Sequence, residues 1–315
     1  MARRALAEVR AREAAAAGVE AARALLAADT NGYDAPGEPW HNGGRPRRLA
    51  LEGAAVEFRI ADEGGLLNLN SAPAPVLAEL PPLDPELLDA LLDWRDVDAD
   101  PRPAGAEEDY YQRLSTPYRP RQGLIPVREE LRLIKGVAEV YGRLEPLVTT
   151  WGPLNVNVAD LEAVDALLLA RGVDPFQAQQ AVNDLLLYRL GGGGGGSGNG
   201  GGNGGGSGAP RRVASLEELS KAIPSFSAEI LERVQGALTT AGTVNVNTAP
   251  AEVLRAVCRG AGQGDAAAEA LLRARAAHPL TGPEELAAVW GSPEVYRVLQ
   301  DYLTVQSAYF TVTAR

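Results

Sequence analysis

Three copies of one short pattern constrain this chain more than any other feature. Asn68-Leu69-Asn70-Ser71-Ala72, Asn155-Val156-Asn157-Val158-Ala159 and Asn245-Val246-Asn247-Thr248-Ala249 all read N-x-N-x-A. Each is followed by helix-forming residues carrying a V-L or L-L pair, so the motif marks the start of a repeated helical unit. A second signal recurs further on, where Glu129-Glu130-Leu131, Glu217-Glu218-Leu219 and Glu284-Glu285-Leu286 each precede another helix. The residue between the two asparagines is expected in the core, and the second Asn or the following Ser or Thr is expected to cap the next helix. These short helices are expected to form two related bundles.

The two ends read differently. Residues 2–28 form an Ala-rich helix with an apolar stripe of Leu6, Val9, Val19, Ala22 and Leu26. Residues 48–60 alternate, with Val56, Phe58 and Ile60 on one face and Glu57 and Arg59 on the other, as in a half-buried strand. Residues 303–313 supply more strand, so one small antiparallel sheet is expected to draw on both ends. Everything between Leu66 and about Gln300 then reads as a helical insertion. Residues 191–208 are almost pure glycine and are expected to be a flexible surface loop. They lack the Lys-Ser/Thr ending of a phosphate-binding loop.

The most charged stretch follows a helix ending near Asp93-Trp94. Asp93, Asp96, Asp98, Asp100, Glu107, Glu108 and Asp109 face only Arg95 and Arg102, and Pro101, Pro103 and Gly105 prevent a helix from continuing. Asp96, Asp98 and Asp100 keep the one-three-five spacing of a calcium loop, and Glu107 falls at its twelfth position. Pro101 stands where that loop needs its sharp-turning Gly, so the pattern is an oxygen-rich cation site and not an EF-hand. Clustered carboxylates repel one another, and a divalent cation turns that repulsion into a constraint. The candidate calcium ligands are Asp93, Asp96, Asp98, Asp100, Glu107 and Asp109. The competing reading is a solvated acidic loop.

Composition excludes several functions. A net charge of -11 and a pI near 4.9 oppose binding to nucleic acid or anionic membranes. Cys258 is the only cysteine, which rules out an internal disulfide, and it sits on an apolar face with Val253, Leu254 and Val257, as a buried structural thiol does. No apolar run is long enough to span a bilayer. His41 and His278 are the only histidines and neither accompanies a nucleophile motif, so no enzyme chemistry is expected. The paired acids near Asp93 lack the aromatic platform of a glycosidase beyond Trp94 and the tyrosines, which read as packing residues.

Several of these motifs, in order, resemble the general secretion pathway protein K family, the large minor pseudopilins of type II secretion systems. They are Asp93-Trp94, the alternating aspartates, Pro103-Ala104-Gly105-Ala106-Glu107 with Tyr110-Tyr111, Pro117-Tyr118-Arg119, Val127 to Gly136 and Tyr141 to Thr149. The resemblance implies an α+β fold: a pilin-like long N-terminal helix plus small antiparallel sheet, with an inserted all-α domain of two sterile-alpha-motif-like bundles. The implied division is 1–66 for the pilin-like helix and strands, with the sheet completed by 301–315. Residues 67–154 form a first helical subdomain with the calcium loop, and 155–300 a second one containing loop 191–208. The implied function is a non-enzymatic subunit at the pseudopilus tip, with minor pseudopilins I and J as partners. Its implied place is the bacterial inner membrane, facing the periplasm, with Met1 just past an N-terminal membrane anchor. The N-x-N-x-A units also resemble helix-hairpin-helix DNA-binding modules, which is the alternative. That chemistry needs a G-x-G hairpin, and Leu80-Pro81-Pro82-Leu83 and Ile134-Lys135-Gly136-Val137 contain none.

Overall fold

The computed structural model describes residues 2–191 and 211–315, so the glycine-rich loop expected over 191–208 lies outside the described residues apart from Gly191. Helix α1 (Ala2–Ala27) is rich in alanine, the strongest helix former. Only its C-terminal half is covered: Ala14, Gly18 and Ala22, four apart, are buried, whereas Leu6 and Val9 stay 52% and 55% exposed. The expected apolar stripe therefore packs along half its length.

That half lies on an antiparallel sheet of order β1-β2-β9, formed by β1 (Arg47–Leu51), β2 (Ala54–Asp62) and β9 (Phe310–Ala314). Val56, Phe58 and Ile60 point inward as the alternation requires, and Phe58, Ile60, Ala22 and Trp40 form the small core between helix and sheet. Two sequence expectations are corrected here. Residues 48–60 are a hairpin and not one strand, because the chain turns at Glu52-Gly53 and pairs Arg47 with Phe58. Residues 303–313 divide, since only Phe310–Ala314 joins this sheet, pairing Thr313 with Arg59.

Between β2 and β9 lie three copies of one unit. Each opens on the first Asn of its motif and closes on a short strand parallel to its start. The pairs are β3 (Leu67–Asn68) with β4 (Val148–Thr149), β5 (Leu154–Asn155) with β6 (Leu238–Thr239), and β7 (Val244–Asn245) with β8 (Leu303–Thr304). Parallel neighbours need a crossover, and the helices supply it. The first unit holds α2 (Ala74–Leu77), α3 (Pro85–Arg95), α4 (Glu108–Gln112) and α5 (Val137–Leu144). The second holds α6 (Leu161–Ala170), α7 (Pro175–Arg189), α8 (Leu216–Ala222) and α9 (Ala228–Arg233). The third holds α10 (Ala251–Gly260), α11 (Gly264–Ala277), α12 (Pro283–Ala288) and α13 (Pro293–Leu299).

The motif residues explain the repeat. Leu69, Val156 and Val246, between the asparagines, are fully buried, as expected. The asparagines do not cap helices, however: the residues before α2, α6 and α10 are Pro73, Asp160 and Pro250, and none makes a side-chain cap bond. Instead the first Asn accepts the N–H of the second, at 2.9, 2.9 and 3.0 Å. The second Asn then grips one distant residue by both backbone groups. Asn70 accepts from the N–H of Ile125 and donates to its carbonyl, and Asn157 does so with Val213 and Asn247 with Leu280. An arginine completes each copy, buried in the first and half-buried in the other two. Arg95, Arg189 and Arg275 donate to the carbonyls of Leu69 and Ala72, Val156 and Ala159, and Val246 and Ala249.

The three units share two cores. Leu67 to Val148 and Val244 to Val305 pack into one, whereas Leu154 to Leu238 form another. The boundary expected at 155–300 thus gives way, because residues beyond 243 pack on the first unit rather than on the second. They approach closely at Gly260, where an added Cβ would lie 2.5 Å from the Val76 Cα.

Replacing the second asparagine with Ala leaves a buried N–H and C=O without partners. Asn247→Ala is expected to cost about 2–4 kcal/mol in urea unfolding. A loss below about 0.5 kcal/mol would mean that the amide is not what pins Leu280.

Candidate functional site

The acidic loop grows from the end of α3, and two carboxylates one turn apart on that helix fold it back. Asp89 accepts the N–H of Ala104 at 3.0 Å. Asp93, fully buried, accepts the N–H of Ala106 at 2.8 Å, the N–H of Arg102 and the Arg102 guanidinium at 2.7 Å. Gly105 passes so close that an added Cβ would stand 1.8 Å from Asp93 Oδ2, so only glycine fits. Lys135 seals the turn by donating to the carbonyls of Ala104 and Gly105. Beneath it Trp94 packs edge-on to Tyr111 and donates to Glu130, which fits the core role expected for both rings.

Of the six expected ligands, the fold gathers three. Carboxylate oxygens of Asp96, Asp98 and Glu107 lie within 4.8 Å of one another. Asp96 and Glu107 are 1% and 6% exposed, and each keeps one buried oxygen, Oδ1 and Oε1, with no hydrogen-bond partner. Two orphaned acceptors beside a third carboxylate are the donor set a hard cation takes. Asp93 borders this group but its oxygens are taken by the loop backbone and Arg102. Asp100 is exposed, and its N–H bonds the Asp98 side chain. Asp109 points to solvent and pairs with Arg113 at 3.0 Å.

Two further residues shape the site without any sequence signature. Gln122, at φ 49°, donates to the Asp98 carbonyl and to Glu107, so it closes the loop from the far side. Arg102 bonds Asp96 and Asp93 at once and reaches Glu162 at the start of α6. Burial pushes the Asp96 carboxyl up to about 6, against the pull of Arg102. Burial, then the charges of Asp96 and Asp93, pushes Glu107 up to about 7.

Elsewhere, Asp29, Asp34 and Glu38 also converge. Most of their oxygens are used structurally: Asp34 accepts the Ser307 N–H, and Glu38 accepts from Ala35 and Trp40. Cys258 is fully buried, and burial pushes its thiol up to about 12. The hairpins at 80–83 and 134–137 contribute Leu80, Leu83, Ile134 and Val137 to the core. The α10–α11 hairpin reads Gly260-Ala261-Gly262-Gln263-Gly264, a G-x-G not singled out from sequence, and its Gly260 lies against α2. No helix of the described residues is long and apolar enough to cross a membrane.

Two family models described as type II secretion system protein K match the chain, at residues 76–153 and 244–312. The Pseudomonas aeruginosa type II secretion system protein K is 32% identical over 167 residues, 47% of this chain and 49% of that one. A putative type II secretion system protein K of Escherichia coli is 31% identical over 140 residues, 36% of this chain and 43% of that one. The matches thus span about half, or less, of the curated relatives' length. A solved GspK-GspI-GspJ complex from enterotoxigenic Escherichia coli has a chain similar at TM-score 0.43 and 17% identity, covering 76% of this chain and 84% of that one.

Two outcomes are expected of this loop. Gly105→Ala should lower stability by about 2 kcal/mol through the clash with Asp93, while Gly123→Ala, with nothing within 4 Å, should cost nothing in a thermal melt. Asp96 and Glu107 have folded values above their ordinary 3.8 and 4.5, so they favour folding fully below about pH 4, and that contribution is lost as pH rises through about 6 to 7. The metal-free chain should therefore melt higher at pH 5 than at pH 7.5. Asp96→Asn should narrow that gap, and an unchanged gap would contradict the assignment.

Proposed function

We propose that this chain, which two type II secretion system protein K family models match, is a non-enzymatic minor pseudopilin of that family that assembles with minor pseudopilins I and J. The observation that carries this reading is where the family matches fall. Residues 76–153 and 244–312 cover the first and third units, which share one core, together with most of β9. The helical units enter between β2 and β9, so a large body is inserted into a small helix-on-sheet domain. A helix that packs along only its C-terminal half leaves the rest free to lie against partner helices. The bulk of the helical units would block a further subunit from adding above, which supports a position at the pseudopilus tip. Its place in the cell is the inner membrane, facing the periplasm.

In this reading the helical units are sterile-alpha-motif-like scaffolding. A calcium ion held by Asp96, Asp98 and Glu107 would neutralise three clustered carboxylates and so stabilise the loop. The ion's chemistry is structural. Asp93 and Asp89 set the loop's path, and Gln122 orients Glu107.

Two measurements test the proposal. Size-exclusion chromatography of this chain with the soluble parts of minor pseudopilins I and J should give one ternary peak. Three separate peaks at micromolar concentration would sink the partner assignment. Adding calcium after EDTA should raise the melting temperature by several degrees, magnesium should not, and Asp96→Ala with Asp98→Ala should remove the rise.

A further inference from the structure

The first and second units bury separate apolar cores, so their joint depends on a few specific contacts. Two of these are arginines on either side of Asp96. Arg95, 1% exposed, pairs with Asp160, the residue before α6, and Asp160 also accepts the N–H of Ala74. Arg102 pairs with Glu162 at 2.6 Å, in the first turn of α6, while its other nitrogen holds Asp93 and Asp96. A third contact leaves the loop at its far end: Leu124, two residues after Gln122, packs against the second unit's core. The first turn of α6 is therefore held by the same loop that gathers the three carboxylates.

We infer that Arg102 is a resident counter-cation that a metal ion displaces from Asp96, so that ion binding is energetically coupled to the docking of the middle unit through Glu162. This rests on the reading of Asp96, Asp98 and Glu107 as a cation site. The physics is competition. One Asp96 oxygen holds the guanidinium and the other is buried and unpartnered, facing the carboxylate cluster. A divalent ion on that cluster repels a guanidinium a few ångströms away and weakens its bond to Asp96. Glu162, outside the cluster and 48% exposed on its side chain, is then, with Asp93, what keeps Arg102 in place. Linkage is reciprocal, so whatever steadies the displaced arginine strengthens ion binding.

The signs follow. Arg102→Gln removes a positive charge and frees Asp96, and should tighten calcium binding roughly tenfold. Glu162→Gln removes the arginine's outer partner and should weaken it several-fold. A bare Coulomb effect of Glu162 on the ion would persist without Arg102, whereas a coupling carried by the arginine would vanish. The experiment is a double-mutant cycle on the whole chain, with calcium affinity read by titration calorimetry for the parent, both single variants and the pair. Glu162→Gln should have no effect in the Arg102→Gln background. Additive effects, or weaker binding by Arg102→Gln, overturn the coupling and leave the cation site standing. No calcium binding by the parent chain overturns the cation reading and this inference with it. Circular dichroism of each variant confirms that the fold is kept.

Discussion

An amide side chain that binds the N–H and the C=O of one distant residue holds each helical unit closed. Asn70, Asn157 and Asn247 each present a donor and an acceptor in the geometry of a neighbouring strand, so Ile125, Val213 and Leu280 are held as if in a sheet. The first asparagine turns the backbone to aim the second, and the arginine satisfies the carbonyls that the turn exposes. Buried polar groups are tolerated only when matched. Here the matching is complete enough for the motif to recur almost unchanged in three places.

That arrangement explains where the chain accepts extra length. The segment between the arginine and the gripped residue is anchored at both ends and lies outside the repeat. It is four residues in the third unit, 276–279, and much longer in the other two, at 96–124 and 190–212. The acidic loop and the glycine tract therefore occupy equivalent positions in two copies of one unit. Loop closure grows in cost only slowly with length, so a clamped base tolerates either. The acidic version is further tied down by Asp89, Asp93 and Lys135, and its carboxylates meet as a result.

The helical units leave the small sheet at its central strand and return to it at an edge strand. β2 runs directly into the first unit and β9 follows the third, and the shared core of those two units keeps the strands close enough to pair. Asp34 contributes to the same closure, because its carbonyl accepts from Asn245 and Asn247 and its side chain accepts from Ser307. The middle unit stands apart, joined by ion pairs and amides, and the family matches leave it uncovered, as they do residues 1–75.

Local pattern was enough to find the repeats, the half-buried face of β2, the buried residue between the asparagines and the acidic loop. Each of these depends on spacing within about a dozen residues, and backbone periodicity converts such spacing directly into a face or a turn. The hairpin at Glu52-Gly53 was hidden, because alternation continues through a two-residue turn and looks like one strand. The partners of the asparagines, the pairing of the first unit with the third and the choice of three carboxylates out of six were also out of reach. The first two depend on contacts between residues tens to hundreds apart, and the third on a loop folding back on itself. Asp93 and Asp96 are three residues apart and chemically identical. Only the folded loop, by giving the backbone to one and leaving the other an unpartnered oxygen, makes them different.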